Sequence, residues 1–223
     1  MTPWTSLDRA ETPDGTRYEL LQRGTHFSIR VNGQLLMNSR VHGSEEALAE
    51  LALGLLAGRE PAHVLVGGLG FGYTLRAALT RLGPRATVTV AEIAPAVVQW
   101  NRESLGGLNG RALDDPRVVI APGDICDVFR TPNPTFDAIL LDVDNGPRAV
   151  GRASNGWLYS PEGLAAIRET LQPRGVLAIW SAGPEVGFSE RLRAANFGVV
   201  LHRVDSHAAR TKERHFIWLG TKE

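Results

Sequence analysis

A glycine-rich turn is the first feature of the sequence whose spacing could serve chemistry. It runs from Gly68 to Gly72 and contains Gly70 and Phe71. Glycines let a chain turn sharply and let a ligand approach the backbone, and a following helix presents its N–H groups to that ligand. The dinucleotide fingerprint requires a further glycine where this chain has Leu75. The spacing therefore favours a nucleoside without a pyrophosphate, and a tight turn without any ligand remains the alternative.

Two acidic residues follow the next two predicted strands. Glu92 stands where an acid in doubly wound folds accepts hydrogen bonds from both ribose hydroxyls, and Ile93 comes next. Asp124 can accept a hydrogen bond from an adenine amino group, while Ile125 packs on the ring. A surface glutamate at a strand end is the alternative for Glu92. Asp124 could equally cap a helix, a role that is compatible with adenine binding.

A pair of aspartates follows the fourth predicted strand. Asp142 ends that strand, where open α/β sheets place reacting groups, and Asp144 lies two residues further on. Two carboxylates above a nucleoside pocket suit a cationic or amine substrate, because one can accept a proton and the other can hold a second ammonium. A capped, solvated loop is the alternative. We predict that Asp142 and Asp144 are catalytic.

The elements that position these residues follow a regular order. Strands alternate with helices, which predicts a mostly parallel sheet covered by helices on both faces. The last two strands have no helix between them, so they should form an antiparallel hairpin. The predicted strands are His63–Val66, Thr87–Ala91, Val118–Ala121, Ala138–Leu141, Val176–Trp180, Val199–Arg203 and His215–Leu219. The predicted helices among them are Thr74–Leu82, Ala94–Arg102, Ile125–Arg130, Glu162–Leu171 and Pro184–Ala195. This predicts an α/β, Rossmann-like fold of the class I methyltransferase type, with a seven-stranded sheet that ends in the hairpin.

The N-terminal part has a different pattern. Tyr18–Gln22 and His26–Val31 predict a small β-hairpin unit. A helix should follow, with Ser44 as its N-cap and Gly58 closing it. We therefore predict a β unit over residues 1–43 and a Rossmann-like nucleoside-binding domain over residues 44–223.

The composition excludes several classes of partner. Lys plus Arg and Asp plus Glu both total 24, so neither nucleic acid nor a membrane surface is an expected partner. No apolar run of signal-peptide or membrane-spanning length occurs, and the chain has one cysteine, so we expect a cytoplasmic location. The six histidines show no metal-ligand spacing, and we predict no metal.

Five stretches of the sequence resemble the spermidine synthase family, the polyamine aminopropyltransferases. They are Gly68–Arg76, Ala91–Ile93, Asp115–Val118, Gly123–Asp124 and Phe136–Asp142. The resemblance implies binding of decarboxylated S-adenosylmethionine and transfer of its aminopropyl group to an amine such as putrescine. It also implies a homodimer.

The resemblance assigns roles to single residues. Glu92 matches the ribose-binding acid, Asp124 the acid of the adenine loop, and Asp142 the first aspartate of the catalytic loop. The family's glycine loop carries an aspartate that reads the aminopropyl ammonium, and this chain has Phe71 there. Two alternatives therefore stand: a methyltransferase that uses S-adenosylmethionine on a small acceptor, and a non-catalytic nucleoside-binding subunit.

Overall fold

A small antiparallel sheet forms the N-terminal part of the computed structural model, which describes residues 3–56, 58–131, 135–143, 155–205 and 214–223. Its strands pair in the order β1 (Thr5–Glu11), β2 (Arg17–Arg23), β3 (His26–Val31) and β4 (Gln34–Asn38). Asn32 and Gly33 connect β3 to β4 with φ angles of 51° and 81°, as a tight hairpin turn requires. The predicted hairpin is therefore the centre of a four-stranded sheet.

The second sheet has seven strands in the order β10-β11-β9-β8-β5-β6-β7. Its strands are β5 (His63–Gly67), β6 (Thr87–Glu92), β7 (Val118–Pro122), β8 (Phe136–Leu141), β9 (Leu171–Ser181), β10 (Phe197–Asp205) and β11 (Arg214–Lys222). The strands β5 to β9 pair in parallel, whereas β11 runs antiparallel to both β9 and β10. This confirms the predicted fold class, including its C-terminal hairpin.

Helices cover both faces of this sheet. They are α1 (Gly43–Gly54), α2 (Tyr73–Arg81), α3 (Pro95–Arg102), α4 (Ile125–Arg130), α5 (Asn155–Leu158), α6 (Pro161–Thr170) and α7 (Phe188–Ala194). Two faces exist because strand side chains alternate: Val64 and Val66 join the core under α1 and α2, while Leu65 joins the core under α4 and α6. None of the described helices is long and apolar enough to cross a membrane.

Three predicted helix ends were wrong. The N-cap of α1 is His42, and Ser44 lies inside the first turn with its hydroxyl directed to the side chain of Glu45 rather than to a backbone N–H. The helix also ends at Gly54 instead of Gly58. The last helix begins after Gly187, whose φ of 80° suits glycine, and Pro184 precedes it.

The N-terminal sheet packs on the larger domain. Leu20 and Ile29 are fully buried in the same apolar cluster as Leu48 of α1. Trp100 of α3 also donates its indole N–H to Asp8 of β1 at 2.7 Å. The two sheets share one core, and a boundary at residue 43 stays a prediction.

Candidate active site

A cavity of about 580 Å³ lies between the carboxyl ends of the parallel strands and the N-terminal sheet. Gly68, Glu92, Asp124 and Asp142 line it from the strand ends, and Met37 of β4 lines the opposite side. Open α/β sheets bind ligands at this edge, and the volume suits a nucleoside with a small substituent. The structure therefore brings three of the predicted acidic residues, Glu92, Asp124 and Asp142, into one cavity.

Two of the loop glycines have positive φ angles and close neighbours, which together favour glycine. Gly68 has a φ of 84°, and a Cβ there would lie 2.5 Å from the carbonyl oxygen of Asp142. Gly70 has a φ of 51°, and a Cβ there would lie 2.8 Å from Sδ of Met37. Both glycines line the cavity. The loop thus passes directly between the predicted catalytic residue and the N-terminal sheet.

The other two predicted loop residues, Phe71 and Gly72, do not line the cavity. Phe71 is fully buried, with its ring centroid 6.1 Å from that of Tyr73. A Cβ at Gly72 would lie 2.8 Å from Nδ2 of Asn109, which already binds Asn101 at 2.6 Å. Neither Phe71 nor Gly72 is among the described residues that line the cavity. The structure places them behind the loop, where they support it from the core.

Glu92 is a buried residue of the cavity wall rather than a surface glutamate. Its Oε2 accepts a hydrogen bond from the N–H of Leu69 at 2.9 Å, and its Oε1 accepts one from Ala94 at 2.8 Å. Each carboxylate oxygen has two acceptor positions, so the side chain can also accept from a ligand hydroxyl. Ile93 lines the cavity beside it. This arrangement fixes the glycine loop and leaves the ribose role as a prediction.

Asp124 caps α4 at the next strand end. Its Oδ1 accepts a hydrogen bond from the N–H of Cys126 at 2.9 Å, which confirms the helix-cap interpretation. Asp124 and Ile125 both line the cavity, as adenine binding requires. The contact with adenine stays a prediction. Burial raises the pKa of the Cys126 thiol to about 12, so it is no nucleophile at neutral pH.

Asp142 follows β8 and is held from two sides. Its N–H donates to the carbonyl of Gly67 at 2.9 Å, and its Oδ2 accepts a hydrogen bond from the hydroxyl of Thr74 at 2.6 Å. Burial of the carboxyl raises its pKa to about 6. A carboxylate with this pKa can accept a proton near neutral pH. Asp144, its predicted partner, lies outside the described residues.

A second carboxyl reaches the cavity from a position that the sequence did not identify. Glu45 lies in the first turn of α1, is 8% exposed and lines the cavity. Burial and the nearby charge of Asp142 raise its pKa to about 7. The sequence offered two weak signals for it. An acidic residue near a helix start is common because of the helix dipole, and Gly43–Glu46 stands in the neighbourhood where the family that the sequence resembles carries a Tyr-His-Glu run.

The polar lining of the cavity is strongly acidic. Among the described lining residues, Glu45, Glu92, Asp124 and Asp142 are carboxyls, and none is Lys or Arg. Trp180 and His215 complete one wall, with ring centroids 4.9 Å apart. In the described part of the chain, no three His, Cys, Asp or Glu side chains are grouped closely enough to hold a metal. The cavity therefore suits a cationic ligand.

Comparison with known proteins gives a consistent result. The family model of the spermine/spermidine synthase domain matches residues 42–187. Polyamine aminopropyltransferase 1 of Streptomyces coelicolor is 34% identical over 180 residues, which cover 76% of this chain and 32% of that protein. A polyamine aminopropyltransferase of Synechococcus sp. is 36% identical over 128 residues, which cover 57% of this chain and 39% of that protein. The chain spans about a third of the length of these curated relatives.

Solved structures agree on the fold. The spermidine synthase of Thermotoga maritima superposes with a TM-score of 0.78 at 18% identity, covering 98% of this chain and 73% of that chain. A spermidine synthase in complex with the transition-state analogue AdoDATO superposes with a TM-score of 0.76 at 18% identity, covering 98% and 72%. Since the family model matches more than half of the sequence, the chain belongs to the spermine/spermidine synthase family.

Proposed function

We propose that the chain transfers the aminopropyl group of decarboxylated S-adenosylmethionine to an amine such as putrescine. The observation that carries this proposal is the set of four carboxyls in a cavity without a described Lys or Arg. Both substrates are cations, and a cavity lined by one sign of charge concentrates the opposite sign. The relatives named polyamine aminopropyltransferase support the same reaction.

The donor binds at the strand ends. Glu92 accepts the ribose hydroxyls, Asp124 accepts the adenine amino group, and Ile125 packs on the ring, while Gly68 and Gly70 let the loop approach the ligand. Ordinary S-adenosylmethionine differs by a carboxylate, for which the described lining offers no Lys or Arg partner. This charge difference favours the decarboxylated donor over methyl transfer.

Asp142 is the general base. The protonated amine first gives one proton to Asp142, while Thr74 holds the other oxygen of that carboxylate. The lone pair that this frees on nitrogen attacks the aminopropyl carbon bound to the sulfonium and forms the new carbon–nitrogen bond. The carbon–sulfur bond breaks, its electron pair stays on sulfur, and methylthioadenosine leaves. Asp144 is proposed as the second carboxylate for the acceptor, and its position lies outside the described residues.

The oligomeric state, the location and the partners belong to the same proposal. The resemblance to the family supports a homodimer, and the composition supports a cytoplasmic enzyme that acts on small molecules without a metal, nucleic acid or a membrane. Sedimentation velocity of the purified chain tests the dimer, because a monomer would sediment with a mass near 24.2 kDa.

Parallel calorimetric titrations test the donor. The purified chain is titrated with decarboxylated S-adenosylmethionine, S-adenosylmethionine and methylthioadenosine, and transfer to putrescine is then assayed by mass spectrometry. We expect binding of the decarboxylated donor and of methylthioadenosine, followed by formation of spermidine. Preference for ordinary S-adenosylmethionine would favour methyl transfer. Absence of binding to all three would contradict any catalytic role, and only the assignment of the fold would remain.

A further inference from the structure

Glu45 and Asp142 bring two carboxyl groups to the same cavity from two different elements. Glu45 comes from the first turn of α1 and Asp142 from the end of β8. The hydroxyl of Thr74 lies 2.6 Å from Oδ2 of Asp142 and 3.4 Å from the carbonyl oxygen of Glu45, so it joins the two segments. Neither acid is paired with Lys or Arg in the described contacts. The two carboxyls therefore place negative charge in the cavity that no described Lys or Arg neutralises.

We propose that Glu45 and Asp142 share one proton before the acceptor binds and release it when the ammonium group of a primary amine enters between them. This inference rests on the proposed function and adds Glu45 to it as a residue that binds the acceptor. The balance is simple: the protonated amine enters, Glu45 loses its proton to solvent, and the bound ammonium faces two carboxylates. In the transfer step, the ammonium gives its own proton to Asp142.

Burial and acidic neighbours, set against the hydrogen bonds of each carboxyl, place the shared proton on Glu45. Thr74 donates to Asp142, which stabilises the ionised form of that carboxyl, and the pKa of about 6 follows from burial opposed by this bond. Glu45 accepts a hydrogen bond from Ser44 at 2.6 Å, yet burial and two acidic neighbours outweigh it and raise its pKa to about 7. At pH 7 the pair thus carries between one and two negative charges, with Glu45 holding most of the bound proton.

No Lys or Arg lines the cavity beside this pair among the residues that the structure describes. The titratable groups that act on Glu45 or line the cavity with it are Asp142, Glu46, Glu92, Asp124, Tyr18, Tyr73 and His215. Arg76 of α2, the helix packed against α1, is bound to Glu46 and lies over the ring of Tyr73.

The wall of the cavity favours the same class of ligand. The indole N–H of Trp180 is buried without a partner in the described chain, and the aromatic ring lines the cavity. An aromatic face attracts an ammonium group. A primary ammonium has enough N–H donors to contact both carboxylates at once, whereas a tertiary amine has one. The acceptor class is therefore a protonated primary alkyl amine.

Calorimetry in buffers of different ionisation enthalpy measures the released proton. Putrescine is titrated into the chain saturated with methylthioadenosine at pH 7 in phosphate, imidazole and Tris, and the dependence of the heat on buffer enthalpy gives the protons released. We expect release of roughly half to one proton per putrescine, because putrescine stays protonated at this pH and Glu45 titrates near it. In Glu45→Gln the release falls to near zero and the Kd for putrescine rises about tenfold or more.

Glu50→Gln is the matched control on the same helix. The side chain of Glu50 is 53% exposed and pairs with Arg81 at 3.2 Å, so this variant should release as many protons as the wild type. Equal proton release in wild type and Glu45→Gln would overturn the inference, while spermidine formation by the wild type would leave the proposed function standing.

A second readout needs no ligand. In the wild type with ¹³C-labelled glutamate, the Glu45 carboxyl signal, assigned by its loss in Glu45→Gln, should titrate well above the ordinary glutamate range. A midpoint below pH 5 would overturn the shared proton even if putrescine does not bind. Failure to bind putrescine or transfer to it, with a midpoint near pH 7, would instead contradict the proposed function.

Discussion

Replacing Glu45 by Gln should change how the free energy of unfolding depends on pH. The native pKa is raised from 4.5 to about 7, mainly by burial. A carboxyl with a raised pKa binds its proton more tightly in the native state than in the unfolded state, so the native state loses stability as pH rises from about 4.5 to about 7. The loss is constant above that range. Gln has no proton to lose, so the variant is free of this cost.

The magnitude follows from the size of the shift. One pH unit corresponds to ~1.36 kcal/mol, so the full cost is roughly 3 kcal/mol. Part of it is already present at pH 5. The stability of Glu45→Gln relative to the wild type should therefore increase by about 2–3 kcal/mol between pH 5 and pH 8. The amide keeps the shape of the side chain, and its oxygen can still accept the hydrogen bond from Ser44, so little packing energy is lost.

Urea unfolding at pH 5, 6, 7 and 8 measures this difference by linear extrapolation. The wild type and Glu45→Gln are compared with Glu50→Gln, whose exposed side chain should leave the stability within about 0.5 kcal/mol at every pH. Parallel stability curves for the wild type and Glu45→Gln would refute the reasoning, because they would mean that Glu45 titrates alike in the native and unfolded states.

Three further substitutions test the site. Asp142→Asn should lower the rate of aminopropyl transfer by ~10²–10⁴-fold, as expected for loss of a general base, and leave the Kd for methylthioadenosine within a few-fold; equal activity would exclude Asp142 as the base. Glu92→Ala should weaken methylthioadenosine binding by ~1.5–3 kcal/mol in calorimetry, and an unchanged Kd would place the ribose elsewhere. Gly68→Ala should lower stability by about 1–3 kcal/mol in urea and reduce transfer, because its Cβ would lie 2.5 Å from the Asp142 carbonyl; wild-type values would show that the loop can shift.

Most of the larger sheet could be predicted from the sequence because its central strands, such as β5 and β8, are apolar on both faces. Runs such as Val64–Val66 are bounded by turn residues, and the absence of a helix before His215 indicated the antiparallel hairpin. The first strand, Thr5–Glu11, was not predicted because its residues are mostly exposed and show no apolar alternation. Ser44 misled the helix assignment because a serine can bond to a neighbouring side chain as well as to the backbone.

The candidate site was predictable only where strand order decides position. Residues at the carboxyl ends of parallel strands must meet at one edge, and this placed Glu92, Asp124 and Asp142 together. Glu45 was missed because its approach to Asp142 depends on the packing of α1 against the sheet. Phe71 was predicted to bind the ligand but does not line the cavity. Its position in the motif did not determine the direction of its side chain, which lies in the core.

The two hydrogen bonds of Glu92 have a consequence for how this position can vary. The carboxylate holds Leu69 within the glycine loop and Ala94 before α3, and Glu92 also lines the cavity. A substitution that altered the ligand preference would at the same time leave two buried N–H groups unsatisfied, at a cost of roughly 1–3 kcal/mol each. Folding and recognition therefore constrain this residue jointly. A lineage that changes its ligand is expected to diverge first at positions such as Glu45, whose carboxyl bonds only to Ser44 and to its own backbone in the described contacts and fixes no other segment.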